Sequence, residues 1–260
     1  MIISSRKNPL VTHFRNLVRD RSYRYECGEF PVEGARLCLE ALNNGLEITA
    51  FLVTENAREK YSGIVSAITD EFTPDIINED ISAYISDTKS PQGVFVIAKM
   101  LDKNNMSGKI IDGGKYIILD NLQDSGNIGT IIRTCDALGI DGVILSSDCA
   151  DIYSPKIVRS AMGSLFRLPV IITVLTEIIQ TMKEMGYSVY SAVLDESARS
   201  ISEIELGSNT AVVIGNEGNG VSDAVTEACG NKLYIPISGA ESLNAAVAAS
   251  IISWEMIRRQ

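Results

Sequence analysis

From Lys115 onward the chain repeats one pattern: a short apolar run, a turn, then a stretch with helical spacing. The runs are "KYIILDNL" (115–122), "GVILSS" (142–147), "PVIITV" (169–174), "YSVYSAVL" (187–194), "AVVIGN" (211–216) and "KLYIPIS" (232–238). The periodicity between and after them predicts helices around 128–138, 154–163, 175–185, 221–228 and 242–258. Strands that alternate with helices in this way form a mostly parallel sheet covered on both faces. Such sheets bind ligands beyond the carboxyl ends of their strands, so the chemistry is expected in the loops that follow the runs.

The first hundred residues read as a smaller α/β unit. Asn8-Pro9 is a good helix start, and Leu10, Phe14, Leu17 and Val18 then fall on one stripe. "VEGARLCLEALNNG" (32–45) predicts a helix ended by Gly45, and "AREKYSGIVSAIT" (57–69) predicts another. "ITAFLVTE" (48–55), "DIINEDI" (75–81) and "GVFVIAK" (93–99) read as strands. The polar stretch 100–114 reads as a linker. The expected division is therefore a domain at 1–99, a linker at 100–114 and a second domain at 115–260.

Composition fits this picture: hydrophobic residues make up 45% and aromatics 6%, which suits buried parallel strands. No apolar run reaches the roughly 18 residues of a membrane span. The start "MIISSRKNPL" lacks the apolar segment of a signal peptide, so a soluble, cytoplasmic protein with no membrane partner is expected. Cys27, Cys38, Cys135, Cys149 and Cys229 are scattered, and His13 is the single histidine, so no metal site is expected. Buried thiols are the better reading. The formal net charge of −10 argues against a nucleic-acid partner, but its distribution does not. Arg6, Lys7, Arg15, Arg19, Arg21 and Arg24 face a single acid, Asp20, within nineteen residues. Such a patch meets phosphate locally, and on charge alone it fits a solvated helix face equally well.

Three loops of the second domain carry unusual residues. The first, "QDSGNIGTIIRTCDALG" (123–139), makes a helix with Ile128, Ile131, Ile132, Cys135 and Leu138 on its apolar face. Arg133, Thr130 and Ala137 lie opposite, and Asn127 is placed to cap it. From spacing alone, cap and solvated charge explain Asn127 and Arg133 as well as chemistry does. The second, "AVVIGNEGNGVSDAV" (211–225), sets Gly215, Gly218 and Gly220 around Glu217. It is neither a P-loop nor a dinucleotide fingerprint, because no Gly-Lys-Ser/Thr follows and the glycine spacing is wrong. A carboxylate in so tight a turn repels a polyphosphate, which disfavours a dehydrogenase or a small NTPase. A ligand without phosphate, such as S-adenosylmethionine, fits better, and a plain tight turn is the bland alternative. The third, "GAESLNAAVAASIISWEMIRRQ" (239–260), offers Ser242 as a helix cap and Asn244 inside the first turn. A small-residue surface follows, with Val247, Ile251 and Trp254 as a larger apolar edge.

Together, "DSGNIGTIIRTCDALG", "VVIGNEGNGVS" and "IPISGAESLNAAVAAS" resemble, in order and spacing, the three signature motifs of the SpoU (TrmH-like) RNA 2′-O-ribose methyltransferases of the SPOUT class. "YSPKIVRSAMGSLFRLPV", "FPVEGARLCLEAL" and "SPQGVFVIAK" are also similar to that family, the last two to its small RNA-substrate-binding domain. The resemblance implies an α/β catalytic domain with a parallel sheet and a deep trefoil knot. The smaller N-terminal α/β domain would resemble ribosomal RNA-binding proteins. It implies a homodimer, S-adenosylmethionine as cofactor and RNA as substrate, with 23S ribosomal RNA favoured over tRNA. By position it assigns Asn127, Arg133, Glu217, Ser242 and Asn244 to catalysis. Ile214, Gly215, Asn216, Gly220, Ile235, Ile237, Leu243 and Asn244 would cradle the cofactor. One departure is visible: "AAV" follows Ser-Leu-Asn where the family often has Val-Ser-Val, which alters packing but removes no functional group.

The implied reaction is methyl transfer to a ribose hydroxyl, with alignment and one proton to manage. The second domain contains no histidine to take that proton. Arg133 is expected to bind the neighbouring phosphate and stabilise the developing alkoxide. Glu217 is expected to hold Arg133 or Asn127, and the six N-terminal cations to grip RNA backbone. A non-catalytic RNA-binding protein of the same fold is the alternative, against which the full set of five catalytic candidates argues.

Overall fold

The computed structural model describes residues 2–101, 110–239 and 241–258; the expected linker lies outside the described residues over 102–109. The chain divides into two compact units, Met1–Leu101 with Asp151–Arg167, and Asp102–Ala150 with Leu168–Gln260.

The first unit runs α1 (Pro9–Arg19), α2 (Arg21–Cys27), β1 (Glu29–Glu33), α3 (Ala35–Asn43), β2 (Ile48–Thr54), α4 (Glu55–Lys60), α5 (Ser62–Thr69), β3 (Asp75–Ile77), α6 (Glu79–Ile85) and β4 (Val94–Lys99). Its strands form a four-stranded sheet in the order β1-β4-β2-β3, with only β2 and β3 parallel. Asn8 caps α1 through Leu10 N–H, and Val11, Phe14 and Leu17 bury that helix against Leu52, Ile81 and Phe95. Several elements differ from expectation. The stretch 32–45 begins as strand β1, whose two carboxylates are buried because each has partners: Glu29 meets His13 and Lys99, and Glu33 accepts from Ser86 and Thr88. "DIINEDI" is a three-residue strand followed by α6, because the Asn78 side chain accepts from Ile81 N–H and starts a helix. The helix expected over 57–69 is two helices that meet at Tyr61.

The second unit contains β5 (Lys115–Leu119), α7 (Ser125–Leu138) and β6 (Gly142–Leu145). The chain then supplies α8 (Pro155–Ala161) and α9 (Ser164–Arg167) to the first unit. It continues in the second with β7 (Val170–Ile172), α10 (Leu175–Glu184), β8 (Ser188–Ala192), β9 (Arg199–Ser200), β10 (Thr210–Ile214), α11 (Asp223–Cys229), β11 (Asn231–Tyr234) and α12 (Ala245–Arg258). Seven strands pair in parallel in the order β7-β6-β5-β10-β8-β11-β9. All six apolar runs are strands of this sheet, and β5, β6 and β10 are buried along their whole length. Residues 151–167, read from sequence as part of the 115–260 domain, pack within the first unit instead. Asp151 forms a buried ion pair with Arg24, and Tyr153 and Phe166 pack on Phe30.

Among the described residues no helix is long and apolar enough to cross a membrane. All five cysteines are free thiols, four of them buried. Burial pushes the thiols of Cys135 and Cys229 up to about 12, so they act as small apolar groups.

Candidate active site

Parallel pairing brings every strand's carboxyl end to one edge of the large sheet. There the loops after β8, β10 and β11 enclose a cleft of about 720 Å³. It is lined by Ala192–Leu194, Ile214–Val221, Ile235, Ile237, Glu241–Ala245 and Ala248. Every residue expected to cradle a cofactor is among them, as are Glu217 and Ser242. Among the described residues the lining holds two carboxylates, Glu217 and Glu241, and no Lys or Arg. The residues after β8 were missed from sequence, although a position at the end of a parallel strand is where that rule points.

The turn after β10 is built by its glycines and by Asn216. A Cβ on Gly215 would lie 2.0 Å from the Gly220 carbonyl carbon and 2.1 Å from Val221 N, so no side chain fits there. Gly220 has φ +70°, the left-handed region that glycine adopts freely. Asn216 and Gly220 exchange two backbone hydrogen bonds of 2.9 Å. The Asn216 side chain accepts from Gly218 and Asn219 N–H and donates to the Asn121 carbonyl at 2.8 Å. Its amide thus shapes the loop and ties it to the end of β5. Asp120, buried there, accepts from both the N–H and the hydroxyl of Ser222 and fixes the approach to α11.

Three of the expected catalytic residues form one hydrogen-bonded chain. Asn244 Nδ2 donates to Asn127 Oδ1 at 3.0 Å, and Asn127 Nδ2 donates to Glu217 Oε1 at 3.0 Å. Glu217 also accepts from the backbone N–H of Asp124 at 3.2 Å and of Gln123 at 3.5 Å. Partial burial works to raise the Glu217 carboxyl, but the bonds from Asn127 and the backbone amides outweigh it and hold the group below its usual range. Both expected caps are displaced along the chain. Asp124, not Asn127, caps α7 by accepting from Asn127 N–H, which leaves the Asn127 side chain for Glu217. Asn244, not Ser242, caps α12 by accepting from Ala246 and Val247 N–H. An Asp at the start of the "DSGN" turn was a legible cap signal.

Arg133 stands apart. It is exposed, and among the described residues it has no hydrogen-bond or ion-pair partner, so Glu217 holds Asn127 and does not hold Arg133. Six residues along α7, it lies about 9 Å further on and on another side of the helix from Asn127. Its own face is the solvent face; Ile128, Ile131, Ile132 and Cys135 are buried on the other.

In the first unit the six cations divide. Arg6, Lys7, Arg19 and Arg21 are exposed, and Arg15 is half-buried. Arg24 is 4% exposed; its guanidinium donates to Asp151 at 2.9 Å and to the Leu17 carbonyl at 2.6 Å. It is a structural ion pair, and its carboxylate comes from the segment 151–167 that joins the first unit. Asp20 starts α2, the helix that carries Arg24, by accepting from Tyr23 N–H.

Two family models match the chain. Residues 114–254 match the SpoU rRNA Methylase family, and residues 8–96 match the MRM3-like substrate binding domain. The methylase match runs through the segment 151–167 that packs in the first unit. Over 255 residues the chain is 34% identical to the 23S rRNA (guanosine(2553)-2′-O)-methyltransferase RlmP of Bacillus subtilis, covering 98% of each chain. An AdoMet-bound rRNA methyltransferase from Sinorhizobium meliloti superposes with a TM-score of 0.87 at 29% identity, over 100% of this chain and 98% of that one. The SpoU methyltransferase AviRb from Streptomyces viridochromogenes, in complex with the cofactor AdoMet, gives 0.86 at 28% identity, over 97% and 98%.

Proposed function

Because this chain belongs to the SpoU rRNA methylase family, we propose that it transfers a methyl group from S-adenosylmethionine to a ribose 2′-hydroxyl of RNA, with 23S ribosomal RNA as the favoured substrate. The observation that carries the reading is the cleft. Glycine-built and cation-free, it has two carboxylates on its wall and the Glu217–Asn127–Asn244 chain joining three motif loops. That donor set suits a ligand with positive charge and no phosphate.

Ile214, Gly215, Gly220, Ile235, Ile237 and Leu243 would hold the cofactor, and the missing Cβ of Gly215 keeps the turn closed beside it. When bound, S-adenosylmethionine supplies an electrophilic methyl group on a sulfonium. The chain's own task is to align the ribose and manage its proton. The second unit has no histidine of its own: His13 belongs to the first, where it is hydrogen-bonded to Tyr23 and Glu29. Arg133, unpartnered on the solvent face of α7, binds the adjacent phosphate and stabilises the developing alkoxide. Ser242 and Asn244 position the nucleotide.

The working form is a homodimer through the catalytic domain. Val247 and Trp254 on α12 are 47% and 55% exposed, an apolar edge that a second copy would cover. Arg133 is not among the residues lining its own chain's cleft, which supports its acting at the cleft of the second copy. A trefoil knot in the C-terminal segment and action in the cytoplasm are part of the same proposal.

Titration with S-adenosylhomocysteine is expected to give a binding isotherm that Arg133→Ala leaves unchanged while methylation is lost. Near-normal methylation by that variant would overturn the mechanism. Mapping of 2′-O-methyl sites in RNA from cells with and without the gene tests the substrate. A missing site in tRNA and none in ribosomal RNA would replace the proposed substrate.

A further inference from the structure

We infer that Tyr84 is a positioning residue that holds the guanidinium groups of Arg6 and Arg15 as a paired clamp for phosphates of the RNA substrate. This rests on the reading of the chain as an RNA methyltransferase and adds the residue that orders the grip. Arg6 lies in the turn before α1, Arg15 lies on α1 and Tyr84 lies on α6. The Cζ atoms of the two arginines stand 4.7 and 5.0 Å from the centroid of the Tyr84 ring. No expectation from sequence included Tyr84.

Two observations separate this cluster from an ordinary charged surface. The chain has 33 acids against 23 bases, so carboxylate partners are plentiful. Elsewhere in the same unit Arg24, Lys99, Arg159 and Arg167 each have one. Among the described residues Arg6, Lys7, Arg15, Arg19 and Arg21 have none. The second observation concerns how Arg15 is held. Its Nε is buried without an acceptor, and its Nη1 reaches only the Ser86 carbonyl at 3.5 Å. The aromatic ring, not hydrogen bonding, therefore sets its position. A guanidinium held over a ring keeps for a ligand those in-plane N–H groups that are neither buried nor bonded, which for Arg15 leaves Nη2 in particular, and such donors match phosphate oxygens. Two such groups on one ring lose little mobility on binding, which favours a backbone ligand over a diffuse counter-ion cloud.

The test uses the full chain and an unmodified transcript of 23S ribosomal RNA. Arg6→Gln and Arg15→Gln should each flatten the slope of log affinity against log salt by about 0.7 to 0.9, the share of one phosphate contact. Tyr84→Leu should raise the KM for transcript by roughly tenfold and leave kcat at saturating transcript unchanged. Tyr84→Phe, which keeps the ring, should return the KM to within about twofold of the unaltered chain. Arg58→Gln, at an ion pair on α4, is the control and should change nothing. Unchanged affinity and salt slope in the Arg6 and Tyr84 variants would overturn the clamp, as would a Tyr84→Phe variant that behaves like Tyr84→Leu. Arg6 is exposed and outside any helix, so loss of fold cannot mimic its result. Binding of S-adenosylhomocysteine and methylation at saturating transcript separate a failed clamp from a failed methyltransferase. An unaltered chain that neither binds nor methylates the transcript overturns both.

Discussion

The oxygen of the Asn244 side chain accepts from Ala246 and Val247 N–H, so only its NH2 is left to face Asn127. Asn127 must then accept through Oδ1 and donate through Nδ2, and the group it donates to is a carboxylate. The polarity of the whole chain is fixed by one helix cap, and each member has a single orientation that satisfies its neighbours. Asn127→Asp keeps the bond from Asn244 but sets a second carboxylate against Glu217. We predict a fall in kcat/KM of roughly tenfold at neutral pH, the equivalent of about 1.4 kcal/mol of lost positioning. The pH profiles should run in opposite directions. In the unaltered protein the Glu217 carboxyl is held low, so its contribution is present above the ordinary carboxylate range and is lost as pH falls through the depressed value. In Asn127→Asp the two carboxylates raise one another, and a shared proton restores a donor, so relative activity should rise on acidification. Rates measured from neutral pH to the edge of acid unfolding decide it; parallel profiles would refute the arrangement. From sequence, all three residues were legible as candidates and Glu217–Asn127 was one of two pairings left open, but the bond from Asn244 to Asn127 was not legible. Spacing along a chain does not reveal which way an amide points, and it paired Glu217 with the wrong group as an open option.

At the scale of elements, legibility followed burial. The six runs of the large sheet could be read because parallel strands covered on both faces need apolar residues at nearly every position. In the first unit β1 and the start of α6 were hidden, since Glu29 and Glu33 are charged residues inside a strand and find partners only in the folded state. Helix ends were off by two or three residues for a related reason: neighbouring polar residues compete to cap, and only one of them does. For α12 the choice matters, because the residue that caps the helix also reaches across to Asn127. Asn244→Ala should therefore cost about 1 kcal/mol of stability from the lost cap and, separately, lower activity. Asn244→Ser is the informative comparison. A serine hydroxyl restores the cap but is too short to reach Asn127, so stability should recover in urea denaturation while activity does not. Recovery of both would mean that Asn244 serves the helix alone.

The path of the whole chain passes between the two units three times, near residues 101, 150 and 167, because Asp151–Arg167 belongs to the first unit. Sequence could not show this. The segment reads as one more helix in a strand-helix series, and partners such as Arg24 and Phe30 are more than a hundred residues away. The consequence falls on Arg24. Its guanidinium is buried, and Asp151, equally buried, supplies the countercharge while also accepting from the Tyr25 hydroxyl. That carboxylate, after burial, is what pushes the Tyr25 phenol up to about 12. Removing one member of a buried pair leaves the other uncompensated, at a cost of roughly 3–5 kcal/mol. Asp151→Asn in the full chain should accordingly lower the urea midpoint of the transition that reports on the first unit. Arg24→Met with Asp151→Leu should recover part of the loss, since two apolar groups leave no orphan charge. The same reasoning predicts that residues 1–101 alone will not unfold cooperatively, because Arg24 would be buried without Asp151, and Phe30 would lack Tyr153 and Phe166. Joining residues 151–167 to that fragment through a flexible linker should restore a cooperative transition in circular dichroism. A sharp transition from residues 1–101 by themselves would show that the inserted segment is a passenger on the first unit and no part of its core.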